Sequence, residues 1–297
     1  MPLKTFISFY KRQFAHCLYC MYKLKNMLKK FLLIVTTLLC IIQVNAQSNK
    51  AFVVGKLIAK FTKVNMKTTT EMMGQPMEQS FITSIKSEIL ITSATDSEVK
   101  VQEKTINVKM AMEIMGQELN FDSDKPNENE QLKGLNDLVN KVTVITVDGN
   151  GIIKAVKYDE SAEKLIQSSM GSNGYVIGQT LDFILLLPTD ISIGKNWNKS
   201  INANDSKNEY TYTVKSIDNG IANIDFVATI TQDRKNEMQG NEVVTKLAGT
   251  MTGKIYVDIK TNFVTSRTTT SNLKGTVDVM GQSSPTEMTM VSEEFFQ

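Results

Sequence analysis

The sequence predicts an α+β fold: a large curved antiparallel β-sheet, half-barrel-like, with a few central helices packed on one face. Three observations predict it. Beyond residue 50 most of the chain alternates apolar and polar residues with period two, the pattern of a sheet with one buried and one wet face. Turn-forming clusters punctuate these runs. The middle of the chain departs from both patterns, with helical spacing and one long apolar stretch.

Taken in order, the chain opens on a targeting segment. Met27-Leu28-Lys29-Lys30 is short and basic, Phe31 to Val44 is nearly continuous apolar sequence, and Val44 and Ala46 stand at −3 and −1 of a cut before Gln47. These are the three parts of a secretory signal, and the apolar stretch falls short of the roughly 20 residues of a stable span. Met21 or Met27 serves as an alternative start, and residues 1–46 are set aside from fold reasoning. Residues 47–297 are expected to form one β-rich domain, exported to the periplasm, an outer-membrane-associated position or the exterior, with no transmembrane span after cleavage.

Along that domain, Phe81, Thr83, Ile85, Ser87, Ile89 and Ile91 share one face of an alternating run. Asn127 with Glu130 starts a predicted helix carrying Leu132, Leu135, Leu138 and Val139 on one stripe; Asp122, Asp124 and Glu128 beside it suit a helix N-terminus better than a calcium loop, which would want Gly where Asn127 stands. Asp148-Gly149-Asn150-Gly151 joins strands 142–147 and 152–158 as a hairpin. Ser161 to Met170 predicts a second helix. Tyr175 to Leu187, almost wholly apolar and stopped by Pro188, predicts a helix buried against the sheet. Then strands resume: Tyr210, Tyr212 and Val214 on one face, Asp218-Asn219-Gly220 as a turn, then Ile224, Phe226, Ala228 and Ile230, then Ile255, Val257 and Ile259. A transmembrane barrel fits less well, because aromatic residues are scarce and helices have no place in it.

One motif repeats. Met73-Gly74-Gln75, Met115-Gly116-Gln117 and Met280-Gly281-Gln282 each follow an acidic residue two positions earlier and sit in strand-like sequence. They read as hairpin tips with glycine in the left-handed region. Most methionines of the domain cluster near these tips. They can fill gaps where hairpin ends pack on helices, or line an adaptable apolar mouth for a hydrophobic small molecule or an envelope protein. The ligand-binding candidates are Met73, Met77, Met115, Tyr175, Phe183, Trp197 and Met280. A third reading is Cu(I) on thioethers, with Met110 and Met112, and Met288 and Met290, each pair sharing a strand face.

Composition excludes several chemistries. Residues 1–46 hold Cys17, Cys20, Cys40 and His16, so the remainder has neither thiol nor imidazole and no Ser-His pair or His zinc site. The leader also takes seven of the 33 basic residues and none of the 31 acidic ones. The acidic remainder does not suit nucleic acid. Nucleotide loops and hydrolase motifs are absent from the sequence. No cofactor is expected. An envelope hydrolase using two carboxylates is the enzymatic alternative.

The segment Leu187-Pro188 to Ile193-Gly194-Lys195-Asn196-Trp197 resembles an "LP…vGdsW" signature of exported bacterial proteins of a domain family of unknown function. Tyr210–Val214, Gly253–Thr261 and the Met-Gly-Gln hairpins fit the same resemblance, which spans most of residues 50–297. Lys195-Asn196 replaces the commoner Asp-Ser. The cleavage region is similar to exports of Bacteroidota-type cells. The resemblance implies no catalytic residues. The leading expectation, from the absent motifs and the leader, is a non-enzymatic envelope protein, and the wider architecture resembles lipoprotein-carrier half-barrels by analogy of fold alone.

Overall fold

Alternating sequence becomes strand wherever one face can be buried, and here that accounts for nearly everything described. The computed structural model describes residues 52–72, 74–126, 132–159, 175–203, 205–238 and 241–297. Twelve strands form one antiparallel sheet: β1 (Leu57–Met72), β2 (Gln75–Ala94), β3 (Val99–Ile114), β4 (Gln117–Asp122), β5 (Val142–Val147), β6 (Ile153–Lys157), β7 (Asn196–Ala203), β8 (Ser206–Asp218), β9 (Ile221–Met238), β10 (Asn241–Asp258), β11 (Val264–Val279) and β12 (Gln282–Phe296). Their order across the sheet is β6-β5-β3-β2-β1-β12-β11-β10-β9-β8-β7, with β4 beside the far half of β3. The first and last strands therefore pair at its centre, and the chain between β6 and β7 joins its two edges.

The expected α+β class is corrected to all-β. Among the described residues the helical content is one 3-10 turn, Lys133–Leu138. Residues 127–131, where the expected helix starts, lie outside the described residues; from Leu132 on its sequence forms this turn and not an α-helix, because Gly134, Asn136 and Asp137 are poor helix formers. Three residues of its expected stripe, Leu132, Leu135 and Val139, pack on Val108 and Phe121 of β3 and β4, and Leu138 is not among them. The helix expected at 161–170 and the leader at 1–46 lie outside the described residues.

Tyr175–Leu187 is not a helix but an extended plug. Its residues 179–181 bond to 151–153, with Ile153 N–H donating to Gln179 O and Leu181 N–H to Gly151 O. Its residues 183–187 bond to the turn before β11, with Val264 N–H donating to Phe183 O and Leu185 N–H to Asn262 O. Leu181, Phe183, Ile184 and Leu185 are buried. They pack on Ile58, Ile89, Val101, Ile145, Ile224, Val257 and Phe296, residues drawn from strands across most of the sheet. A sheet whose separated strands share one core must curl around it. Thr180 bridges to Ile152 before β6 and accepts a bond from Lys199 Nζ of β7, so one plug residue touches the flanks of both edges.

All this burial lies at one end of the strands, the core end. The Met115-Gly116 and Met280-Gly281 turns lie at the other, the tip end. Met115-Gly116 and Met280-Gly281 have positive φ at both positions (53° and 76°, 54° and 80°), between the closing pairs Ile114–Gln117 and Val279–Gln282. This is type I′ hairpin geometry, and Asn219-Gly220 repeats it between β8 and β9 at the core end.

Curvature has a local cause in β10 and β11. Gly249 and Gly275 face inward at positions where backbones crowd: a Cβ on Gly249 would lie 2.0 Å from Asn272 O, and one on Gly275 1.8 Å from Lys246 O. At Gly253 a Cβ would lie 2.6 Å from the ring of Phe226, its cross-strand partner. The ring covers the glycine, and the missing side chains let the sheet bend. Gly249→Ala should therefore destabilise by about 3 kcal/mol in urea unfolding, at the upper end of overpacking costs. Thr250→Ala on the wet face should stay within about 0.5 kcal/mol. Equal midpoints for the two would show that the close approach is not real.

Candidate functional site

The site is built on the inner face, where the plug meets the sheet. Asp182, the one charged residue of Tyr175–Leu187, accepts a hydrogen bond from Lys60 Nζ of β1, and Glu103 of β3 lies 3.4 Å from the same ammonium. Tyr175 donates its hydroxyl to Glu103. Arg267 of β11 pairs with Glu294 of β12 at 3.0 Å and donates to Asp182 O at 2.8 Å. Together these groups tie the plug to β1, β3, β11 and β12. Burial works against the charge on Lys60, but Asp182 and Glu103 outweigh it and raise its pKa far above the ordinary lysine value. Burial, then Asp182 and Glu103, raises the Tyr175 hydroxyl well above its own, so it is a hydrogen-bond donor at neutral pH.

Beyond this polar layer, toward the tips, one row of inward residues crosses ten strands. It runs Leu119, Met112, Phe81, Met66, Met290, Ser271, Met251, Ala228, Tyr210, Lys199, each paired with the next. Nine of the ten neighbours are thioether, aliphatic, aromatic or hydroxyl side chains, and Lys199 ends the row. The row nearer the core ends in Trp197, stacked on Tyr212 at 5.0 Å, with Tyr210 on Tyr212 at 5.7 Å. The opposite face is wet: Lys63, Lys67, Lys86, Glu88, Thr250, Thr252 and Lys254 occupy the alternate positions of three of these strands. Lipid-facing barrel strands require the reverse, apolar outward and polar inward. Ser271 is 1% exposed, yet its Oγ has no hydrogen-bond partner. Thr62 Oγ1 and Asn208 Oδ1 of the same face also lack partners.

The sequence candidates are dispersed. Phe183 is fully buried in the plug, where its ring meets Phe52, Phe263 and Phe296. Tyr175 belongs to the polar layer and Trp197 to the aromatic stack. Met115 and Met280 project from the tips, 75% and 74% exposed, about 50 Å of strand from the core end. The tips and Tyr175–Leu187 therefore do not form a common mouth. Met77 is half-buried near its tip, and Met73 lies outside the described residues. Met110 and Met112 pack with Leu132, whereas Met288 packs with Leu273; β1 and β2 separate the two pairs, about 14 Å of sheet, so they do not make one copper site. Among the described residues no group of three or more Asp or Glu is poised for a metal, and no helix is long and apolar enough to cross a membrane.

Open depressions of about 410 and 420 Å³ lie on the wet face, around Ile82, Ala111 and Asn120, and around Phe61, Glu88 and Phe295. The first is also lined by Met110, a copper candidate, and the second involves no sequence candidate. Sequence reasoning missed Lys60, Glu103, Asp182, Arg267 and Lys199. Asp182 had a signal, since a lone carboxylate in an apolar run must find a cation or stay costly.

Removing one partner of a buried pair strands the other. Asp182→Leu should cost about 3 kcal/mol of unfolding free energy, and Lys60→Met in the same chain should recover most of it. A double-mutant cycle by urea denaturation measures this; strictly additive losses would mean the pair does not hold the plug.

No curated protein sequence matches the chain significantly. Among solved structures, one described as "Lipid-protein interactions in lipovitellin" overlaps with a TM-score of 0.50 at 8% identity, over 83% of this chain and 25% of that one. The chain thus spans about a quarter of that protein's length. The likeness is one of fold. An outer membrane channel from Pseudomonas putida F1 (9% identity, 84% of this chain, 98% of that one) and the translocator domain of the autotransporter NalP from Neisseria meningitidis (7%, 88%, 95%) overlap at TM-scores of 0.20 and 0.22, too low for a shared architecture. Residues 163–264 match the model of a family of unknown function (DUF6263), which bears out the resemblance to a domain family of unknown function; it confirms neither the source organism nor the Leu-Pro…Trp segment as that family's signature.

Proposed function

We propose that the protein is an exported, non-enzymatic envelope carrier that holds an apolar ligand against the inner face of its sheet. The observation that carries this reading is the row from Leu119 to Tyr210. It presents four methionines, Phe81 and Ala228 inward, while Lys63, Lys67, Lys86, Thr250 and Lys254 lie on the reverse face. Met66, Phe81 and Met290 are half-buried and do not belong to the buried clusters around the plug. Unbranched thioether chains adapt to ligands of varied shape. The lone buried Ser271 hydroxyl also fits a face completed by something else. The leader-like sequence Met27–Ala46 supports export, and the fold-level likeness to lipovitellin is compatible with a lipid as ligand.

A protein-interaction module is the second reading. It is favoured by Met115 and Met280, exposed at positive φ where Asn, Asp or Gly would suit the turn better.

The protein purified from its native envelope should release a lipid on solvent extraction, identified by mass spectrometry at near-equal molar amount. Met290→Glu should reduce that amount by about tenfold or more, since a charge would face an apolar row. The gentler Met290→Gln should reduce it less, and Thr252→Glu on the wet face should leave it unchanged. The carrier reading fails if the wild-type protein yields no lipid, or if Met290→Glu retains as much as Thr252→Glu.

A further inference from the structure

Lys199 differs from Lys60 and Arg267, though not from Arg234 nearer the tip of β9, which shares the inward register and whose Nε also lacks a hydrogen-bond partner. Lys60 and Arg267 each face carboxylates at contact distance. Lys199 is half-buried, and its ammonium bonds to Thr180 Oγ1 at 3.2 Å; it pairs with no acid among the described residues. An ammonium has three donors, and the described residues take up one of them. Burial, reinforced by the charge on Arg267, lowers its pKa: the site disfavours the cation it carries. Its surroundings are apolar, with Tyr210 as cross-strand partner, Trp197 two residues away on the same face, and Ala228 and Met251 next along the row.

We propose that the ligand is an anionic amphiphile, a long-chain carboxylate, whose head group pairs with Lys199 and whose chain runs along Ala228, Met251 and Met290. This deepens the carrier reading and rests on it. An unpaired ammonium needs an anion, while its flanks of ring and aliphatic carbon give nothing to a small hydrated ion, so charge and apolar body belong in one molecule. The dimensions agree: from Lys199 to Ser271 is about 19 Å of arc, long enough for an extended acyl chain to leave the head-group end and reach the methionines. The order of residues also sets polarity, with the cation at the β7 edge and the apolar row leading inward from it.

Trp197, the chain's single tryptophan, is a built-in reporter. The delipidated full chain is titrated by tryptophan fluorescence with oleate, oleyl alcohol, lysophosphatidylglycerol and inorganic phosphate, each lipid below its micelle concentration. Wild type should bind oleate about tenfold tighter than oleyl alcohol, the value of a charge-assisted hydrogen bond. Lys199→Gln should bind both alike, with alcohol affinity kept, and Lys199→Arg should restore the preference. Phosphate should give no shift. Equal affinity for acid and alcohol in wild type, or a preference that survives Lys199→Gln, would overturn the head-group assignment while leaving the carrier reading in place. Tighter binding of lysophosphatidylglycerol than of oleate would replace the carboxylate by a phosphodiester. Binding of none of the lipids would remove both readings together.

Discussion

The two edges of the sheet, β6 and β7, are joined by a chain segment that also fills its interior, and this double duty governs the rest of the fold. A sheet with one apolar face cannot stand alone in water. Ile58, Ile89, Val101, Ile145 and Val257 would face solvent if Leu181, Phe183, Ile184 and Leu185 were not laid against them. Each such side chain contributes roughly 1.5–3 kcal/mol when fully buried. The plug adopts extended backbone rather than helix because both its flanks offer strand partners at the right spacing, the 151–153 segment on one side and the turn before β11 on the other. Its amides and carbonyls are satisfied by the same structure that its side chains complete.

Placing charge beside that core fixes where the plug can sit. Hydrophobic contact alone would tolerate sliding; Asp182 between Lys60 and Arg267 does not. The polar layer also divides the inner face into a closed core end and a tip-ward part whose lining is apolar yet leaves Ser271 and Lys199 with unmet hydrogen-bonding capacity. Function is argued from that division. The core end looks finished, since its polar groups are paired and its side chains packed. The tip-ward face does not.

Much of the architecture was legible because it is periodic. Phe81 to Ile91, Ile224 to Ile230 and Ile255 to Ile259 declare their buried faces by alternation, and those faces are the ones buried. The Met-Gly and Asn-Gly turns were readable from the scarcity of residues that accept positive φ. Tyr175–Leu187 was not readable, because a segment enclosed on every side loses both the strand and the helix period: Ile184 and Leu185 are neighbours and both are buried. At the site, the excess of methionine was visible but its geometry was not. Met66 and Met290 meet only because the first strand pairs with the last, a contact 224 positions apart in sequence that no local pattern encodes. Reading by proximity in sequence therefore drew attention to the tips, whereas register assembles the inner row.

Hydrogen exchange followed by mass spectrometry or NMR addresses the plug most directly. If the plug is integral to the sheet, the amides of Leu181 and Leu185, with those of Ile153 and Val264 that bond to it, exchange only through global unfolding, as slowly as the centres of β1 and β12. Exchange of Leu181 and Leu185 within minutes while β1 and β12 remain protected, or helical chemical shifts across 175–187, would contradict the account.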